Sequence, residues 1–161
     1  MSRVCLAVLL ASGLVAWSGC GQSKTVVDEE GNRTTLTEKG GNVEVTFEGK
    51  DGEKVRIAGG EGGVALPDGF PKDVPLYPGA TPTVTNSNAE VTTVMLTTAD
   101  AAAKVSAFYK EKLAAAGWTT KNTLDMPTGS MIVCSKGDRT LSVTLVSDDN
   151  QTMINLTLGK E

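Results

Sequence analysis

Apolar and polar residues change their rhythm several times along the chain. Val4 to Trp17 (VCLAVLLASGLVAW) is one uncharged apolar run, broken only by the hydroxyl of Ser12. Residues 21–66 are polar and rich in glycine, yet KTVVD, RTTLTE, NVEVTFE and KVRIA alternate apolar with polar positions, most clearly in Val43-Glu44-Val45-Thr46-Phe47. Alternation of period two, broken by EGN, KGGN and KDGE, predicts short antiparallel strands joined by tight turns. A weak repeat of 21 residues sets Gly31–Leu36 against Gly52–Ile57. Two copies are too few for a solenoid, so the expectation is a short β-meander with one thin apolar face of Val45, Phe47, Val55 and Ile57. So small an apolar set barely offsets chain entropy, and a flexible tether is the competing reading of 20–66.

The rhythm then breaks. Five of the six prolines, Pro67, Pro71, Pro75, Pro78 and Pro82, fall within sixteen residues, which excludes helix and central strand. Phe70, Val74, Leu76 and Tyr77 recur among them, and a solvated linker has no use for such side chains. Residues 67–80 are therefore expected to form an ordered, proline-rich strap. From residue 81 to 161 the pattern is globular. Val91 to Thr97 reads as a strand, and Ala99 to Ala116 as the one clear helix, with Thr98 as its N-cap. Ala102, Val105, Phe108, Tyr109, Lys112, Leu113 and Ala116 form its predicted stripe, and Gly117 its left-handed C-cap. Four strand-like runs follow: WTTKNTLD, SMIVCSK, RTLSVTLVS and TMINLTLGK. Leu141, Val143 and Leu145 alternate with polar residues, as do Ile154, Leu156 and Leu158, so one sheet face is buried and the other wet. The fold class is α+β, one helix packed on an antiparallel sheet in the order β-β-α-β-β-β-β, preceded by the meander.

The apolar run at the N-terminus is shorter than the ~20 residues that span a bilayer, and glycine-rich sequence follows it at once. It reads as a signal peptide covering 1–19. Ala16-Trp17-Ser18 would suit a general signal peptidase, leaving a secreted chain that starts at Gly19. Trp17-Ser18-Gly19-Cys20 instead resembles a bacterial lipobox, with Trp17 at the position usually given to an aliphatic residue. That resemblance implies acylation of Cys20, and two or three acyl chains would exceed what stable anchoring requires. Gly21, where an Asp would signal inner-membrane retention, favours the periplasmic face of the outer membrane within a bacterial cell envelope.

Three cysteines then leave only Cys134 in the remaining chain, which excludes an intramolecular disulfide; within SMIVCS it reads as a buried thiol. The whole chain carries 15 basic and 19 acidic side chains, a net charge of −4, and loss of Arg3 with the signal peptide makes this −5. Such a balance argues against nucleic acid and against electrostatic adhesion to anionic lipid. The chain has no histidine, which removes Ser-His and Cys-His activation and most transition-metal sites. Ser106 and Lys110 share a helix face, but that face reads as solvated, beside Lys104 and Glu111. Asp28-Glu29-Glu30 and Asp148-Asp149-Asn150 lack the ligand spacing of a calcium loop, and Gly59–Gly63 lacks the Lys and Ser/Thr of a phosphate loop. No cofactor is implied.

FPKDVPLYPGA, then FYKEKLAAAGW, then paired strands resemble a domain of small bacterial envelope lipoproteins of unknown function, over about residues 67–160. More loosely, a helix ending in GW on an antiparallel sheet is similar in topology to helix-grip lipoproteins of the outer-membrane β-barrel assembly machinery. The resemblance implies no catalytic residue. It leads to a non-enzymatic lipoprotein that binds an envelope protein or component. The alternative is a tethered carrier of a small apolar ligand or lipid, in a pocket near Phe108, Leu113, Trp118 and Cys134; the competing reading of these side chains is plain core.

Intact-mass analysis of the membrane-extracted protein is expected to give a chain starting at Cys20 plus the mass of its acyl groups. Cys20→Ser should abolish both the added mass and membrane retention, whereas a chain starting at Gly19 would refute the anchor.

Overall fold

The structure, a computed structural model, describes residues 22–60, 62–148 and 150–160. The signal peptide and Cys20 lie outside the described residues, as do Gly21, Glu61 and Asp149. Four strands come first: β1 (Gln22–Val27), β2 (Arg33–Lys39), β3 (Asn42–Glu48) and β4 (Lys54–Gly59). After the proline-rich segment follow β5 (Thr81–Ser87), β6 (Val91–Thr98), α1 (Ala102–Ala115), β7 (Thr119–Met126), β8 (Gly129–Lys136), β9 (Arg139–Asp148) and β10 (Gln151–Lys160). Among the described residues no helix is long and apolar enough to cross a membrane.

The α+β class, with one helix and an antiparallel sheet, is as the sequence suggests. The expected order β-β-α-β-β-β-β with a separate meander needs correction, because all ten strands form one sheet in the order β1-β2-β3-β4-β5-β6-β10-β9-β8-β7. The join is β4 against β5, where Arg56 to Gly59 pair with Ser87 to Val84. A strand edge offers unpaired N–H and C=O groups, and β5 takes up those that β4 would otherwise leave to water. Residues 22–59 are thus strands rather than a flexible tether.

The helix carries the chain from β6 to the far edge at β7, from which three hairpins bring it back until β10 pairs with β6. Val94, Leu96, Ile132, Cys134, Leu141, Val143, Leu145, Ile154 and Leu156 alternate onto one face and are buried. Val105, Tyr109 and Leu113 of α1 pack on them. Cys134 is a free, buried thiol.

The helix ends as expected and starts differently. Gly117 has φ +81°, its N–H donates to the Ala114 carbonyl, and the Trp118 N–H donates to the Leu113 carbonyl at 2.9 Å. These two bonds make a Schellman cap, for which a residue with a side chain would be strained. At the other end α1 begins at Ala102, and Ala101 is an N-cap with no side-chain hydrogen bond. Thr98 does not cap the helix because it is the last, buried residue of β6. Its hydroxyl accepts the Asp100 N–H at 3.3 Å, and the Asp100 carbonyl accepts the Thr152 hydroxyl at 2.7 Å. Both bonds hold residues 98–100 in a turn.

The strap is packed rather than solvated. Val64, Val74 and Tyr77 are buried, and Leu66, Phe70 and Leu76 pack partly buried against the same core. Two polar clusters pin it. The Asp73 carboxylate accepts Lys136 Nζ at 2.6 Å and both Arg139 guanidinium nitrogens, at 3.1 and 2.7 Å. The Asp73 carbonyl accepts Trp118 Nε1–H at 2.9 Å, the Arg139 guanidinium lies 5.0 Å from the Trp118 ring centroid, and Lys136 also donates to the Ala116 carbonyl at 2.8 Å. Four residues on, the Tyr77 hydroxyl donates to Asp100 at 2.7 Å, and Lys104 donates to the same carboxylate. Hydrogen bonds from Arg139 and then Lys136 hold the Asp73 carboxyl well below the usual carboxylate range.

A carboxylate whose folded pKa is depressed stabilises the fold above its unfolded pKa of about 4, and that stability is lost as the pH falls below it. Unfolding free energy should therefore decline below about pH 4. Asp73→Asn is expected to remove about 2 kcal/mol at pH 7 and to flatten that decline, both measurable by urea titration. Tyr109, by contrast, is fully buried, its hydroxyl makes no well-formed hydrogen bond among the described residues, and burial pushes its pKa up against a weaker opposing effect of the Tyr77 backbone. Tyr109→Phe should raise stability by about 1 kcal/mol in the same assay.

Candidate functional site

An open groove lies between the first turns of α1 and the β7–β8 hairpin. Its origin is in the helix sequence: Ala102, Ala103, Ser106 and Ala107 are too short to fill the gap between backbone and sheet. The result is a groove of about 540 Å³ lined also by Lys110, Asp125, Met126, Pro127, Gly129, Ser130 and Ser147. That volume falls in the range of small-molecule sites, and most of the lining is apolar. A smaller recess of about 270 Å³ shares Ala101 and Ser147 with it and runs toward Asp148 and Thr152.

Its polar groups are few and placed at opposite levels. On the floor, the buried Ser130 hydroxyl donates to the buried Ser106 hydroxyl at 3.3 Å. At the mouth, Lys110 Nζ stands 3.7 Å from an Asp125 carboxylate oxygen, both side chains largely exposed. An exposed pair of this kind contributes well under 1 kcal/mol, so either partner is free to exchange for a ligand group. Gly129 fixes the wall: a Cβ there would fall 1.9 Å from the Leu145 carbonyl oxygen, so β8 can lie this close to β9 at the groove only with glycine. The arrangement can hold a molecule with an apolar body and one polar end. Among the described residues no group of three His, Cys, Asp or Glu could hold a metal ion.

The residues singled out from sequence lie elsewhere. Leu113, Trp118 and Cys134 are in the core, at 1%, 4% and 0% exposure. Phe108 is half-buried, with its ring edge-on to Tyr77 at 5.0 Å and to Tyr109 at 5.3 Å. None of the four lines the groove; Phe108 borders a separate hollow with Tyr77, Pro78, Asp100 and Lys104. Ser106 is a correction of a different kind. Expected on a solvated face with Lys110, it turns inward and is 8% exposed, while Lys112, placed on the buried stripe, is exposed and paired with Glu111. Burial follows Val105, Tyr109 and Leu113, four residues apart, and that line places Ser106 beside them and Lys112 outside. The missed signal was the run of Ala and Ser in the first two turns, where an amphipathic helix normally carries large side chains.

Residues 79–156, from the start of β5 into β10, match a family model described as START domain-like, and this span includes α1 and the whole groove lining. No curated protein and no solved structure matches the chain.

Proposed function

We propose that the protein is a non-enzymatic binding module for a small apolar or amphiphilic ligand, carried in the groove between α1 and the β7–β8 hairpin. The observation that carries this reading is the groove itself, an apolar space of about 540 Å³ with two hydroxyls at its floor and a loosely held ion pair at its mouth. The START domain-like match over the same elements supports a ligand-binding module. In this reading Cys20 carries the lipid that keeps the module at the envelope membrane, and Lys110 or Asp125 meets the ligand's polar end while its apolar body lies against Pro127 and the alanines of α1. A second reading, docking of an envelope protein, draws support from β7, an edge strand exposed at all eight of its residues and open to a partner strand.

Native mass spectrometry of the protein extracted from cells, followed by organic-solvent extraction, is expected to show a retained small molecule. Ala107→Trp, at an exposed position on the groove wall, should abolish retention while leaving circular dichroism and thermal unfolding unchanged. Absence of any retained molecule in the unsubstituted protein would defeat the carrier reading. Crosslinking from β7 to one envelope protein would favour the second.

A further inference from the structure

The sheet changes its apolar side halfway across. Register places Leu36, Val45, Ile57, Asn86 and Thr93 in one cross-strand row on the face away from α1, and Thr34, Phe47 and Val55 in the next row. In β6 to β10 the buried apolar residues face the helix; in β2 to β4 the helix-side positions are polar but for Ala58, and include Arg33, Lys39, Glu44, Glu48, Lys54 and Arg56. The meander therefore turns its apolar residues away from the core. Among the described residues, ten of the eleven large hydrophobic side chains left exposed lie on this helix-free face, Val27 being the exception. Along its paired positions the charged residues are Lys24 and Glu38 at one end of the sheet and Asp148 at the tip of β9. No described segment covers it.

We infer that this face is an interface for a second copy of the chain, the two sheets stacking as a sandwich about a two-fold axis. A strand of about seven residues offers ~110 Å² of sheet face at ~3.3 Å rise and ~4.8 Å spacing. Seven or eight of the ten strands in contact thus bury about 800 Å² per copy, the size of a stable interface. Charge selects the occupant. Each chain has a net charge of −4, so two copies repel through most of their surface, and this nearly uncharged face is where they meet without burying an unpaired charge. A partner rich in charge would find only Lys24, Glu38 and Asp148, at the ends of the face, to pair with. Stacking two sheets also gives each meander the second layer it lacks, with Val45, Phe47 and Ile57 against their counterparts.

Sedimentation velocity of the purified protein over a micromolar concentration series tests this. The expected result is a monomer–dimer equilibrium that Phe47→Glu and Ile57→Lys, both at exposed and foldable positions, each weaken by about tenfold or more, while Thr35→Lys on the helix-side face leaves it unchanged. Three results would overturn the inference: a monomer throughout, a dimer that Phe47→Glu and Ile57→Lys leave intact but that substitutions in edge strands β1 or β7 dissolve, or a monomer that adheres to phosphatidylcholine vesicles through the same face.

Discussion

The grip of Asp73 on Lys136, Arg139 and Trp118 is the constraint on which the arrangement of the layers depends. A single helix on a sheet is held mainly by one line of side chains, here Val105, Tyr109 and Leu113, and such a line permits rocking about its own axis. Asp73 removes that freedom at the helix C-terminus by tying the β8–β9 turn to its carboxylate and Trp118, the residue after the cap, to its backbone carbonyl. Tyr77 does the same at the other end through Asp100. FPKDVPLYPGA and FYKEKLAAAGW meet where the Trp118 indole donates to the Asp73 carbonyl and the Phe108 ring stands edge-on to Tyr77, while the charged partners Asp100, Lys104, Lys136 and Arg139 come from outside both stretches.

A helix fixed at both ends can leave its first turns unfilled without collapsing onto the sheet. Cavities in a free core close by local shifts of the elements around them, and large-to-small changes cost most where such relaxation is blocked. The alanine-walled groove beside β7 is stable for that reason, and the Ser106–Ser130 hydrogen bond satisfies the polar atoms that its opening would otherwise strand. The meander is attached by the pairing of β4 with β5, by the Asn42 side-chain amide donating to the Gly63 carbonyl at 2.7 Å, and by Arg56 donating to Asp68 at 2.8 Å.

Period and punctuation made much of the fold legible. Alternating residues marked the strands of both halves, Gly117 marked the helix end, and Phe70, Val74 and Tyr77 marked the strap as packed. What stayed hidden depended on partners distant in sequence. Thr98 looks like an N-cap until Thr152 takes the Asp100 carbonyl and fixes the preceding turn. Joining the meander to the sheet needs the pairing of β4 with β5 across the whole strap, which no local pattern encodes. The groove was misplaced because large side chains attract attention as ligand-binding, whereas here Leu113, Trp118 and Cys134 fill space and Ala102, Ala103 and Ala107 create it.

The position of β10 has a consequence for how the chain reaches this state. It is the last strand described, yet it lies between β6 and β9 at the middle of the sheet, and its apolar residues complete the layer beneath α1. Until it arrives, β6 and β9 are open edges, and the core has a slot through its centre. The pairing that closes the sheet, β10 with β6, spans α1 and three strands and is among the longest-range in the molecule, so the layer beneath α1 is completed only by a late, non-local step.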